Sequence, residues 1–509
     1  EWLGNLGTTK PPASMSHNNA IGIALAQKIY TSGRSQKAVW LTPTNNVGMF
    51  NKKRNDELLA SIRQGKTMTQ QEMVSLIVGL SIPSILAQVT TVLMFYIDAA
   101  MVGKLGAEAS ASIGLVESAT WLFGGLCSAV SLGFSVQVAH FIGANDFVKA
   151  RQVMRHGLIS TLVFSLLVTF CAALIAFKLP IWLRGGADIS HDASLYFLIY
   201  ALSVPFLQLG IFSSNMLKSA GNMQIPSIMS VMMCVLDVAF NYLFIYVVGL
   251  GVPGAALGTV LSIAIVASVE AWFALFRSSI LALRLDKGRF VWMWGYVRKA
   301  IKISAPMAVQ YVLMSGAHVV STYIVAPLGN IAISANTFAI TAESLCYMPG
   351  YGIGDAATTL VGQSMGAGQY RLCRTFAKLT MIMGMAVMAL MGVVMYVFAP
   401  EMIALMTPVE EITTLGTQVL RIEAFAEPMF AAAIVGNCIC VGAGDTLKPS
   451  LINLFSMWGV RLTLAAVLAQ WYGLQGVWVA MAVELTIRGL LFLARLKWGA
   501  WLKGEPQTT

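Results

Sequence analysis

Residues 73–103 read MVSLIVGLSIPSILAQVTTVLMFYIDAAMVG, and Asp98 is the only charge in the run. A helix at a protein–water surface shows an apolar stripe opposite a polar one. This stretch is apolar all round and longer than the roughly twenty residues needed to cross a bilayer. It predicts a membrane-spanning helix with a proline, Pro83, inside it and one acid near its end.

The same pattern recurs along the chain. The expected spans are 74–102, 110–141, 157–182, 193–215, 226–249, 254–276, 300–326, 331–362, 376–399, 415–440, 450–472 and 475–498. Composition agrees: 57% of the 509 residues are hydrophobic and 11% charged, with a mean hydropathy of +0.72. Soluble domains carry about 25% charged residues. The expected fold class is an all-α integral membrane protein with twelve transmembrane helices.

The net charge of +10 does not point to nucleic acid, because the basic residues sit in short loops between apolar runs. Such residues favour the cytoplasmic side. With both termini inside, the inner loops collect 23 Lys and Arg, among them Lys149, Arg151, Arg155, Lys218, Arg371 and Arg374; the outer loops hold only Lys104, Lys178 and Arg184. The expected location is the inner (cytoplasmic) membrane.

The chain also repeats. Ser81-Ile82-Pro83 returns as Ser304-Ala305-Pro306, Leu105-Gly106 as Leu328-Gly329, Gly143-Ala144 as Gly366-Ala367, and Ala220-Gly221 as Ala443-Gly444. Every pair is 223 positions apart, the mark of an internal duplication. Each half holds six spans, so the halves share topology and a pseudo-two-fold axis along the membrane normal is expected. In transporters the substrate path lies between such repeats. The expected organisation is a polar N-terminal tail over 1–71, a six-helix lobe over 72–276, a cytoplasmic linker over 277–299, a second lobe over 300–500 and a short tail over 501–509. Residues 1–48 are expected to be disordered or not native, with Met49 as an alternative start.

Several motifs carry a family resemblance. The first span has Pro83, Gln88 and Asp98 ahead of Val102-Gly103-Lys104-Leu105-Gly106; the second ends in Val138-Ala139-His140-Phe141-Ile142-Gly143-Ala144. Val235-Leu236-Asp237 opens a fifth-to-sixth helix motif, and Gly442-Ala443-Gly444-Asp445-Thr446 follows span ten. In this order, over about residues 72–500, they resemble the MATE family of multidrug exporters, within a superfamily that includes polysaccharide and lipid flippases. The resemblance implies a cation-coupled antiporter expelling amphipathic, often cationic compounds. It implies no cofactor, with H+ or Na+ as coupling ion, a lipid bilayer and small molecules as partners, and a monomer.

The resemblance also directs attention to acids inside the spans. A carboxylate at the bilayer centre costs about 2.5–3.5 kcal/mol on insertion scales, so each must face a cavity, a partner or a proton. Asp98 and Asp237 are the leading cation-coupling candidates, because their +223 counterparts are Ser321 and Val460 and the repeat itself requires no acid there. Asn241 lies one turn after Asp237 and could share its hydrogen bonds. Gln88, Asn241, Asp355 and Glu427 are candidate cavity or cation-site residues. Thr358 and Thr359 could add oxygens to Asp355; the family's helix-seven acid is replaced by Met314. Glu484 and Arg488, four apart, are expected to pair, with Arg461 and Arg421 neutralising Glu484 and Glu423. His318 is expected to be packed rather than a ligand.

Other signals are bland. The seven cysteines form no CxxC and mostly fall in apolar runs, so no disulfide or metal framework is expected. Gly249-x-Gly251-x-x-Gly254 lies in a hairpin between spans rather than between a strand and a helix, and is not a dinucleotide site. No enzyme motif is present. A flippase for a lipid-linked saccharide remains the alternative function; the intramembrane acids weigh against it.

Overall fold

Apolar sequence of this length folds as helix because nothing in hydrocarbon can satisfy an open backbone amide. The computed structural model of the chain is described over residues 52–183, 186–285, 290–498 and 501–502, and no strand occurs among them. The expectations for residues 1–48, Met49, Arg184 and most of the tail 501–509 lie outside the described residues.

A short helix α1 (Lys52–Arg63) precedes six long ones: α2 (Gln70–Gly103), α3 (Ala107–Gly143), α4 (Phe147–Ile175), α5 (Ala187–Ser219), α6 (Gln224–Tyr242) and α7 (Gly251–Trp272). The second set is α8 (Trp294–Val325), α9 (Asn330–Gly366), α10 (Tyr370–Ala404), α11 (Glu410–Ala424), α12 (Glu427–Gly442), α13 (Leu447–Leu454) and α14 (Leu462–Trp498). Among the described residues nine helical stretches are long and apolar enough to cross a membrane, and a tenth if α11 and α12, bent by 59°, form one broken span. One of the nine, Leu447–Trp498, is 52 residues long, about twice what a bilayer needs. It breaks at Gly473, whose φ of 55° and ψ of −137° are not helical, and so supplies two spans. The remaining span is α9, whose polar residues, Glu343 and Asp355 among them, dilute its hydropathy. The architecture is therefore twelve helical spans in two lobes.

The duplication reaches the backbone. Residues with positive φ recur at the same offset: Gly106 and Gly329, Asn145 and Gly368, Gly221 and Gly444. The residues that open α4 and α10, Asp146 and Gln369, share φ −92° and ψ 71°. The lobes meet symmetrically as well, α2 against α9 and α3 against both α8 and α9.

The tail reading needs correction at its C-terminal part. Residues 52–63 are a helix that buries Leu58, Leu59 and Ile62 against Leu76, Leu80, Met223 and Leu360. Its three apolar residues share one face and are outnumbered by charges, so composition alone reads as polar. Its last carbonyls are satisfied by both lobes: Asn145 Nδ2 donates to Arg63 O at 3.1 Å, and Gln369 Nε2 donates to Ile62 O. The linker packs on the first lobe. Arg151 and Arg155 donate to Ile280 O and Leu283 O, and the His156 ring accepts the Met293 amide at 2.8 Å.

Where α3 and α9 end, the lobes approach backbone to backbone. A side chain on Gly143 would run into Gln363 O, and one on Gly366 into His140 O. Gly366→Val should therefore wedge the lobes apart at the α1 end. With Cys171 replaced by serine, a cysteine introduced by Ala139→Cys, buried in this interface, is expected to be inert to a maleimide in the parent and labelled in the Gly366→Val chain. Equal labelling of the two would show that this contact does not hold the lobes.

Candidate functional site

The sequence placed Asp98, Asp237 and Asn241 on two different helices, and the structure brings them together. Asp98 lies near the end of α2 opposite α1. Asp237 and Asn241 lie one turn apart on α6. One carboxamide joins both acids: Asn241 Nδ2 donates to Asp98 Oδ1 at 3.0 Å and to Asp237 Oδ2 at 3.1 Å. Asp237 and Asn241 are buried, whereas Asp98 is partly open. Asp237 Oδ1 is buried with no hydrogen-bond partner among the described residues. Gly258 of α7 makes the arrangement feasible, since a Cβ there would occupy the space of the Asn241 side chain and backbone.

Asp355 is held differently. Its Oδ2 accepts from Ser84 Oγ at 2.7 Å, pairs with Lys218 Nζ at 2.8 Å, and lies 3.5 Å from Gln88 Nε2. From sequence Lys218 is expected to be a loop charge. It stands in the last turn of α5 and reaches across the lobe boundary. A cue was available: Asp355, inside a span, needed a counter-charge. Neither threonine donates to Asp355: Thr358 Oγ1 donates to Gly354 O and Cys438 O, and Thr359 Oγ1 donates to Lys218 O. Gln363 Nε2 on Ser219 O at 2.8 Å and His140 Nε2 against Gly442 O at 2.9 Å complete this interlobe seam. The seam lies in the half of the molecule that carries α1.

Glu427 belongs to a third group. It opens α12 as Glu423 closes α11, and both are fully buried beside Glu343. Arg461 and Arg488 face this group. The expected pairing of Glu484 with Arg488 is present at 3.0 Å, with Ser456 Oγ donating to Glu484 at 2.5 Å. Arg421 does not neutralise Glu423: its Nε donates to Tyr396 O and its guanidinium lies 5.3 Å from the Tyr396 ring. The helix turns it to the outer face, where an aromatic ring and a free carbonyl compete for it.

Between the lobes lies a cavity of about 700 Å³, lined by Gln88 and Trp121 from the first lobe and by Tyr311, Met314, Tyr347 and Asn437 from the second, with His318 and Arg488 also on its wall. Its second-lobe wall is aromatic: Tyr347 packs on Tyr351 at 5.9 Å and on Phe430 at 5.3 Å. Sequence alone could not select these rings from the many aromatics present. Volumes of about 300–1,000 Å³ suit drug-sized ligands.

Comparison with known proteins agrees with the duplicated architecture. The MatE family model matches residues 83–243 and again 306–467, two matches whose starts differ by 306 − 83 = 223. The chain belongs to the MatE family. Members are membrane transporters and not enzymes, and this chain is a multi-pass membrane protein. Among similar curated proteins are a probable multidrug resistance protein NorM of Thermotoga maritima, 25% identical over 434 residues, which span 84% of this chain and 93% of that one, and a second of Chromobacterium violaceum, 24% identical over 466 residues, spanning 88% and 96%. Among solved structures, a multidrug resistance MATE family transporter of the MOP superfamily in an outward-facing conformation superposes with a TM-score of 0.78 at 20% identity, covering 85% of this chain and 99% of that one. A MATE crystal structure in complex with MaL6 gives the same TM-score and identity over 84% and 99%.

Close packing at Asn241 has a measurable consequence. Gly258→Ala forces overpacking there and should cost about 1–3 kcal/mol. Gly114→Ala, where a Cβ meets nothing, should cost nothing. Thermal unfolding of the two purified variants is expected to separate them by a lowered midpoint for Gly258→Ala alone.

Proposed function

We propose that this chain is a secondary antiporter that exports amphipathic cationic compounds by alternating access, with the proton as its coupling ion. The observation that carries the reading is the bridging of Asp98 and Asp237 by one Asn241 amide inside the first lobe. The names of the similar curated proteins, multidrug resistance proteins, support the substrate class. So do the aromatic and methionine walls of the central cavity: ring faces attract cations, and thioethers adapt to varied shapes.

The proposed sequence begins with Asp98, the partly open member of the pair, as the proton entry point. Two acids joined through one amide in a low-dielectric site repel when both are charged, and a proton relieves that cost. Asp237 Oδ1, which has no hydrogen-bond partner among the described residues, is where a proton would remove the most buried charge.

The signal has a short mechanical path. Asp98 and Ser84 share α2, and fourteen residues of helix separate them by roughly 21 Å. Ser84 follows Pro83, which lacks a backbone donor and is the natural bending point. Ser84 also touches Asp355 of the other lobe. Charge at one end of α2 thereby biases the seam at the other. The proton drives transport only through its different affinity for the two lobe arrangements.

Orientation follows the basic residues. The α1 end faces the cytoplasm of the inner membrane, both termini lie inside, and the seam there closes the inner side. The chain works as a monomer.

Asp98→Asn removes the charge at unchanged size. In everted vesicles with an imposed proton gradient, dye-cation export by this variant is expected to fall below a tenth of the parent rate at equal membrane abundance. Export at the parent rate removes Asp98 from coupling; export that persists and follows sodium moves the coupling ion to the group around Glu427.

A further inference from the structure

At the α1 end the two lobes, so alike elsewhere, differ in what fills one groove. In the first lobe the groove between α2 and the start of α6 is lined by Leu76, Gly79, Leu80, Gly221 and Met223, and α1 fills it. Leu58, Leu59 and Ile62 pack on the leucines, Asn55 lies against Gly79, and Leu59 lies against Gly221. The space left there is about 10 Å³.

In the second lobe the equivalent groove, between α8 and α13, is open and measures about 850 Å³. The segment 223 positions after α1 is residues 275–286. Its described part is not in the groove; it lies on the first lobe, where Arg151 and Arg155 hold the Ile280 and Leu283 carbonyls. The groove residues have changed to match. The counterpart of Leu76 is Lys299 and that of Gly79 is Lys302, three residues apart on one side of α8, and both line the cavity. No Asp or Glu lines it, and neither lysine forms an ion pair among the described residues. Tyr370 and Thr446 add hydroxyls, while Val309 and Leu451 continue the wall as exposed apolar surface. Exposed Trp292 and Trp294 flank the start of α8, the position of an interfacial aromatic belt.

We propose that this second-lobe groove binds one anionic lipid, its phosphate headgroup on Lys299 and Lys302 and its acyl chains along Val309 and Leu451. An apolar groove filled by a helix in one repeat has become a cationic, amphipathic one in the other, where the described residues supply no helix. Basic pockets between membrane helices are a recurrent means of holding acidic headgroups. The apolar wall selects a lipid over a free anion, and the lysines select against a cationic compound. The cavity also touches His140 of the first lobe, so the bound lipid bridges the lobes at the end where α1 is held by Asn145 and Gln369. It therefore stabilises the arrangement in which that end is closed, by the difference in its affinity for the two lobe states.

The test uses the purified, delipidated full-length chain in detergent and three probes: dioctanoyl phosphatidylglycerol, dioctanoyl phosphatidylcholine and inorganic phosphate. Binding is read by native mass spectrometry and by the thermal midpoint. The expected result is at least tenfold preference for phosphatidylglycerol over phosphatidylcholine, with no shift from phosphate alone at equal concentration. Lys299→Gln/Lys302→Gln should abolish the preference, whereas Lys104→Gln/Lys178→Gln, at the opposite end of the molecule, should keep it. Leu451→Trp, which fills the groove without touching charge, should also lower phosphatidylglycerol binding and stands in if the double variant does not fold. Retention of the preference in the groove variants overturns the proposal, as does equal binding of phosphatidylcholine or an equal shift from inorganic phosphate.

Discussion

A carboxyl group in hydrocarbon must be paired, hydrogen-bonded or neutral, and this constraint organises the interior of the molecule. The acids described above take one of a few solutions. Asp98 and Asp237 share Asn241; Asp355 takes the ammonium of Lys218 from the other lobe; Glu484 takes Arg488 one turn away. Glu343, Glu423 and Glu427 are gathered at the break between α11 and α12 under the field of Arg461 and Arg488. The solutions differ in kind. An ion pair of short, fixed geometry holds elements in place, whereas two acids on one neutral amide are the group we propose responds to a proton.

In the proposed mechanism that difference separates seam from switch. The seam is built from contacts that tolerate no intrusion, glycine against carbonyl at Gly143 and Gly366, with Lys218–Asp355 and Gln363–Ser219 beside them. In that mechanism its close packing would make the lobe arrangement bistable rather than continuously deformable. The acid pair lies at the far end of α2, away from the seam and joined to it by one helix. In that proposal the two-fold relation of the lobes supplies the hinge, and the asymmetry of the acids, whose counterparts are Ser321 and Val460, puts the sensing group in one lobe.

Much of this was legible in the sequence. The unbroken apolar runs required helices, and the 223-residue offset required two like lobes, because helix ends and turns are set by local chemistry that duplication preserves. The same offset reappears in the positive-φ residues and in the opening residues of α4 and α10. The site was legible where the partners were four residues apart, as Asp237 with Asn241 and Glu484 with Arg488, since helical periodicity puts them on one face. Partners supplied by another lobe were not. Lys218 read as a loop charge because its helix ends there, and Arg421 read as a counter-ion because nothing in sequence says which way its face turns. Helix α1 is hard to read from composition because three apolar residues among charges carry little signal, although their spacing fits one buried face.

The central proposal is that a proton on the pair joined by Asn241 and a bound substrate favour opposite lobe arrangements, so that each disfavours the other. The most direct measurement is proton release by the purified protein in a weakly buffered solution when a saturating dye cation is added. The account predicts release from the parent chain and none from Asp98→Asn or Asp237→Asn, with both variants still binding the dye. Undiminished release from both variants would contradict it.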